Sequence, residues 1–349
     1  MDNIKFFKEG TMSQLEEIEF RKKGVQQLIF DHNRRLQVLK HQQAVQGLIN
    51  ARPEVIIEIE DIEAEVAKLQ EELSRLIAEE IREKAPLVYI HNFGQRSTNV
   101  SDRALCIEWG EQFDARQTPR KIPEPAVWQS TLLPEILAIP GKLGGQGLVR
   151  LQGSAALTTG FAFGTAFQAI GRYLLEVEQF SPNGVELWYS DEQPPASQVV
   201  PELTNYSIAG NPAADEAVVV IYAAPKQSLT EVLTGVGTYW GEIEIFKNLL
   251  ADQKVSQKFN GVLVLEAKAA AGGRPLQSWE AAGLAHRSVQ PLKHFIGQFK
   301  PAKLHLFLAT PLGLAVFLGH QWNAIGKKIQ CYEWVSGDKV YAPTGELQL

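Results

Sequence analysis

The chain has 349 residues, 45% of them hydrophobic and 21% charged, with a formal net charge of -6, which is enough globular material for one large domain or two of ordinary size. The acidic balance argues against a duplex-DNA or RNA-backbone binder, whose counterion-releasing surface is basic. No apolar run approaches the ~20 residues of a membrane span, and MDNIKFFKEGTMSQLEE at the start lacks the apolar centre of a secretory leader, so a soluble cytoplasmic protein is expected.

The first 85 residues differ in kind from the rest. Ser13 to about Gln46 contains no proline and carries apolar residues at helical spacing, with Gly47 as a stop. Pro53 suits the first turn of a second helix, along which Ile59, Ile62, Val66, Leu69, Leu73 and Leu76 form one apolar seam. The two make an antiparallel helical hairpin over 1–85. Each helix then has a single partner, so a further helix from a copy or another protein, or the chain's own second domain, is needed to cover the remaining stripe.

From Pro86 the texture changes to strand-helix alternation. PLVYIHNFG and RALCIEWG read as strands, STLLPEILAI as a helix and PGKLGGQG as a flexible connection, since it lacks the Gly-Lys-Ser/Thr ending of a phosphate loop. LVRLQG, SAALTTGFAFGTAFQAIG and RYLLEVEQF follow as strand, helix and strand, a βαβ unit with parallel pairing expected. The two cysteines, Cys106 and Cys331, lie in apolar strand-like runs without CxxC spacing, so buried reduced thiols are expected. The seven histidines form no HExxH, HxxxH or Cys/His cluster, so no metal site is read.

The βαβ unit recurs. An offset of 155 residues places Leu151 on Leu306, Leu157 on Leu312, Gly164 on Gly319, Ala169-Ile170-Gly171 on Ala324-Ile325-Gly326, and Glu178 on Glu333. The second passage is preceded by the strand GVLVLEAKA and the helix QSWEAAGLAHRSVQPLKHFIGQF, in the order that ALCIEW and LLPEILAI precede the first. Two tandem α/β lobes, about 86–200 and 201–349, most simply associate about a pseudo-twofold axis and oppose the carboxyl ends of their strands. The shared pocket would suit a ligand that is itself roughly symmetric and anionic.

ALTTGFAFGTAFQAIGRYLLEVEQF with VELWYSD, the later KLHLFLATPLGLAVFLGHQWNAIGKKIQCYEW and the closing YAPTGEL resemble the SAVED domain, over about Pro86 to the end. The resemblance implies two fused CARF-like, Rossmann-like lobes that sense a cyclic oligonucleotide, here a cyclic oligoadenylate of three or four units, in CBASS or type III CRISPR antiphage signalling. RRLQVLKHQQAVQGLINARPEVIIEIEDIEAEVAKLQEEL resembles a helical effector-associated module. SAVED chains usually carry their own effector, and the hairpin stands in its place here. A separate protease, TIR or nuclease effector recruited through residues 1–85 is implied, with homo-oligomers or filaments forming on ligand binding.

Such a ligand asks for cations, helix-start amides and stacking surfaces. Thr310 and Pro311 open the second repeated helix, and Gln152 and Ser154 lie in the corresponding turn of the first. Gln112, Phe113 and Arg116 follow ALCIEW, while Lys268, Arg274 and Trp279 follow GVLVLEA beside a glycine pair. Lys268 and Arg274 are expected to capture phosphate and Trp279 to stack. An enzyme reading competes: Glu266-x-Lys268 with Asp252 resembles the PD-(D/E)xK arrangement of metal-dependent nucleases. Slow cleavage of the cyclic ligand and a scaffold without ligand are further alternatives.

Overall fold

The computed structural model describes residues 14–46, 52–94, 100–101, 104–113, 121–144, 147–181, 184–225, 227–271, 273–323, 325–335 and 337–348. The chain divides into two compact units, Met1–Ala85 and Pro86–Leu349. In the first, α1 (Gln14–Gln46) and α2 (Pro53–Glu83) are joined by their apolar seams. Leu39 packs with Ile59, Ile62 and Val66, and Val25 with Leu69 and Leu76. Ion pairs flank the seam, among them Lys40 with Glu63 at 2.6 Å. Lys22 and Lys84 together hold the Glu80 carboxyl down to about 2.

The second unit is built on two sheets. Strands β1 (Leu87–His91) and β2 (Leu105–Glu108) are followed by short helices α3 (Pro125–Val127), α4 (Leu133–Leu137) and α5 (Ile139–Leu143), with a π turn at Trp128–Leu132. The glycine-rich connection thus begins as helix, which Gly144 ends in the left-handed region at φ +65°. Strand β3 (Leu148–Ser154), helix α6 (Leu157–Ala166), β4 (Leu174–Ser181) and β5 (Gly184–Tyr189) complete the lobe. The helix stops at Phe167, and Ala169–Gly171 forms a separate 3-10 turn.

The second lobe comprises β6 (Leu203–Ala209), β7 (Glu216–Tyr222), α7 (Leu229–Trp240), α8 (Ile243–Lys247), α9 (Leu249–Asp252), β8 (Gly261–Ala267), α10 (Lys268–Ala271), α11 (Ser278–Phe299), β9 (Lys303–Ala309), α12 (Leu312–Gln321), β10 (Lys328–Val335) and β11 (Val340–Gln348). A capping box starts α7: Glu231 N–H donates to Ser228 Oγ, and Ser228 N–H to the Glu231 carboxylate. The sheet orders are β2-β1-β3-β4-β5 and β11-β10-β9-β7-β8-β6. Read from the other edge, the second repeats the first and adds β6. In both, four consecutive strands of the order are parallel, and the last strand returns antiparallel.

The repeated helices α6 and α12 are buried on nearly every side and pack on each other at the centre. A Cβ on Gly164 would collide with the carbonyl oxygen of Val316 and sit 2.8 Å from the His320 nitrogen. One on Gly319 would collide with the carbonyl of Phe161 and sit 3.0 Å from the Thr165 nitrogen. Those partners are themselves 155 residues apart, so the contact is reciprocal and the pseudo-twofold axis passes through it. Cys331 is buried, but Cys106 is exposed on an edge strand, which corrects the expectation of two buried thiols.

Because each glycine meets backbone rather than a movable side chain, Gly164→Ala and Gly319→Ala should each destabilise the second unit by about 2–3 kcal/mol despite alanine's better helix propensity. Denaturant unfolding checks this, and the reciprocity requires the two losses to be similar.

Candidate functional site

The carboxyl ends of β3 and β9 and the starts of α6 and α12 open on one cavity of about 380 Å³. Gly153, Ser154, Ala155 and Leu157 line it from the first lobe, and Leu308 through Leu312 from the second. Gln179 and Phe180 on β4 and Glu333, Trp334 and Tyr341 on β10 and β11 complete the walls. The half-exposed ring of Phe180 and the indole of Trp334 give flat apolar surfaces beside a polar floor.

Two floor hydroxyls stand out. Thr310 is 8% and Tyr341 1% exposed, and neither Thr310 Oγ1 nor Tyr341 Oη has a hydrogen-bond partner. A buried hydroxyl without a partner costs about 1–3 kcal/mol, so each is a polar group the fold leaves unsatisfied next to the cavity. The two helix starts are also addressed across the lobe boundary. Leu157 and Thr158 N–H donate to the Glu333 carboxylate at 3.3 and 3.0 Å, and Gly313 N–H donates to Gln179 Oε1 at 2.9 Å. Glu178, the repeat partner of Glu333, instead accepts from Gln152 Nε2 at 2.7 Å and from the Gly153 backbone, and burial raises its pKa.

Of the residues expected to read a ligand, Ser154, Thr310 and Pro311 line this cavity. Ser154 Oγ donates to the Phe93 carbonyl, and Gln152 lies beneath the turn through its bond to Glu178. Gln112 is exposed in the turn after β2, Phe113 is fully buried against Trp128, and Arg116 lies outside the described residues. Lys268 pairs with Glu202 at 2.7 Å. Arg274 forks onto Glu280, which is 2% exposed, with Nη1 to Oε2 at 2.9 Å. Trp279 is buried and donates Nε1–H to Gln277. The last three are not among the residues lining the cavity. Gln179, Glu333 and Tyr341 were not anticipated, although the Glu178/Glu333 identity marked the strand that carries one of them.

A larger cavity of about 670 Å³ opens near the first residues of β4, between Arg172, Glu192, His286 and His320. His320 donates Nδ1–H to the Phe167 carbonyl, and burial holds its pKa below the ordinary imidazole value. This cavity lies at the amino end of β4, away from the strand ends where helix starts offer amides. The smaller cavity is therefore the candidate site.

The site defines a fold class: two CARF-like lobes whose strand ends share one cleft. Residues 256–347 match the family model of SAVED, the SMODS-associated and fused to various effectors sensor domain. CD-NTase-associated protein 4 of an Acinetobacter species is 27% identical over 200 residues, and that of Moraxella osloensis is 26% identical over 200. Each match covers 57% of this chain and 36% of the relative, so it spans about a third of the relatives' length. Among solved structures, the Acinetobacter baumannii Cap4 SAVED/CARF-domain containing receptor with the cyclic trinucleotide 2'3'3'-cAAA superposes with a TM-score of 0.53 at 20% identity, covering 84% of this chain and 65% of that one. The same receptor with 3'3'3'-cAAA gives 0.52 at 19% identity, covering 95% and 78%. The fold of this chain is thus that of the SAVED/CARF receptors.

Glu280 is nearly inaccessible and also accepts from Gln277 N–H, so Arg274→Ala leaves a buried carboxylate short of its counter-charge. Because Arg274 is half exposed, the loss should be about 1–3 kcal/mol rather than the value for a fully enclosed pair. A shift of the denaturation midpoint without ligand present reads it.

Proposed function

We propose that this chain is a receptor for a cyclic oligonucleotide messenger of bacterial antiphage signalling, with cyclic triadenylate favoured over the tetramer by the trinucleotides named for the similar receptors. The observation that carries the reading is the convergence of equivalent strand ends and helix starts from both lobes on one cavity, two of whose lining residues, Thr310 and Tyr341, carry unpartnered hydroxyls. Its volume suits about one nucleotide unit at a time, so a ring would seat one unit deep and spread the others along the rim, where Phe180 and Trp334 offer stacking faces. Enclosed hydroxyls and amides bond a phosphate without needing a basic surface, consistent with the acidic composition.

A nuclease reading has little geometric support. Glu266 and Lys268 lie at the carboxyl end of β8, where Glu266 accepts from Tyr206 Oη, whereas Asp252 ends α9 before the opposite end of that strand. A seven-residue strand separates the ends by about 20 Å, and among the described residues no group of three acidic, histidine or cysteine side chains is placed to hold a metal.

The hairpin supports the second half of the proposal, recruitment of a separate effector through residues 1–85. Phe20, Phe30 and Val45 on α1 are 72%, 62% and 73% exposed, and Ile57 and Ile81 on α2 are more than half exposed. These are the apolar side chains that a further helix would cover. Ligand-driven assembly of copies fits the same surface.

The cleft is tested by thermal shift and particle sizing with cyclic di-, tri-, tetra- and hexanucleotides. A bound ring at a hundredfold excess over Kd should add about 2.7 kcal/mol. Thr310→Val and Tyr341→Phe should each weaken binding roughly tenfold while leaving the free protein as stable or more so, since each removes an unpaired buried hydroxyl. A chain beginning at Pro86 should bind the ring as the full chain does but fail to capture the effector; retention of capture would assign recruitment to the second unit.

A further inference from the structure

This inference rests on the receptor reading and concerns how its cleft is kept before ligand arrives. The two repeated helices present amide seats at repeat-related starts, Leu157 and Thr158 on α6 and Gly313 on α12, each capped by the opposite lobe. The caps are not equivalent. The α6 seat holds the Glu333 carboxylate, which neutralises the roughly half positive charge of a helix start. The α12 seat holds a neutral carboxamide oxygen, that of Gln179, because the repeat-related Glu178 is turned to Gln152 and Gly153 instead. The α12 seat therefore keeps its positive potential. Thr310 and Tyr341 line the same cavity, both residues are more than nine-tenths buried, and their enclosed hydroxyls are unpartnered.

We propose that Gln179 is an internal placeholder: its carboxamide occupies the α12 amide seat until a phosphate of the ligand displaces it, with Thr310 and Tyr341 completing the phosphate shell. A charged oxygen makes the stronger bond to the same N–H, so exchange favours the phosphate. Glu333 denies the equivalent seat on α6 to any anion, so the cleft takes phosphate at one end only. Since Gln179 belongs to the first lobe and α12 to the second, the exchange replaces a bond between lobes with a bridge through the ligand.

The test uses the full chain, with Gln179→Glu and Gln179→Ala, and two probes: 3'3'3'-cyclic triadenylate and inorganic phosphate. Gln179→Glu copies the Glu333 arrangement, so its melting temperature should hold or rise while affinity for both probes falls at least roughly tenfold. Gln179→Ala vacates the seat and should bind both probes roughly two- to fivefold more tightly. Equal binding by wild type and Gln179→Glu overturns the placeholder, as does weakened binding by Gln179→Ala, which would make the carboxamide a direct ligand contact. If no form binds the nucleotide but phosphate binding follows the predicted order, the seat stands and the receptor reading falls. If neither probe distinguishes the three proteins, the placeholder falls with it.

Discussion

The second unit depends on one contact, the reciprocal approach of α6 and α12 at Gly164 and Gly319. Helices with ordinary side chains at their crossing sit 8–10 Å apart. Here a missing side chain on each helix admits the other's backbone, the carbonyl of Val316 on one side and that of Phe161 on the other. Gly160 extends the close approach toward Leu312 and Val316. With the axes drawn together, the amino ends of both helices reach across to the opposite lobe, which lets Glu333 cap α6 and Gln179 cap α12. A wider spacing would leave both helix starts facing their own lobes. The cleft would then be two separate shallow ends.

The lobes share a strand order but not a cover. Helices α7, α8 and α9 stand between β7 and β8, and they pack on the sheet through Val232, Val236, Phe246 and Leu249. Between β1 and β2 the first lobe has a connection of only 13 residues, with no described helix. The duplication therefore preserved the elements that meet at the axis and let the outer layers diverge. Identity follows the same division: the positions shared at the 155-residue offset run from the strand before the paired helix, through that helix and the connection after it, to the strand that follows. Residues under mutual constraint from a shared interface have fewer acceptable replacements than those facing a private layer.

Much of this was legible in the residues. The hairpin seam from Ile59 to Leu76 is a periodic signal of the strongest kind, and β3, α6 and β4 were set by their alternation of apolar strand and small-residue helix. The helix end was harder, since Phe167-Gln168-Ala169 has no glycine or proline and the stop comes from Phe167 turning into the core. EAVVVIY, the central strand β7, carries a clear β-branched run, and the helix α7 that follows it contains Gly235 and Gly237, which make close contacts with Trp334 and Glu242. The cleft was legible only in part. Thr310 and Pro311 announce themselves as helix-start residues. Gln179, Glu333 and Tyr341 do not, because their roles are set by the lobe opposite, which no local pattern encodes. Lys268 and Arg274 illustrate the converse: two cations beside glycines suggest a phosphate site, yet each is matched by a carboxylate, at Glu202 and Glu280, distant in sequence or hidden in the helix that follows.

What the cleft selects follows from the charges it lacks. Among the described residues that line it, none is lysine or arginine, and the one acidic side chain is Glu333. On the receptor reading, a phosphate there would be held by the dipoles of amides and hydroxyls, which carry no full charge. Such a shell stabilises one charge well and a second poorly, since a carboxylate nearby and a low-dielectric wall raise the cost of further anion. A ring distributes a single charge on each phosphodiester and has no terminal phosphate. A linear oligonucleotide of the same bases ending in a phosphate concentrates nearly two. On the receptor reading proposed above, a cleft assembled from dipoles with an acidic side chain at one end would favour the singly charged phosphodiesters of a closed ring over a terminal phosphate.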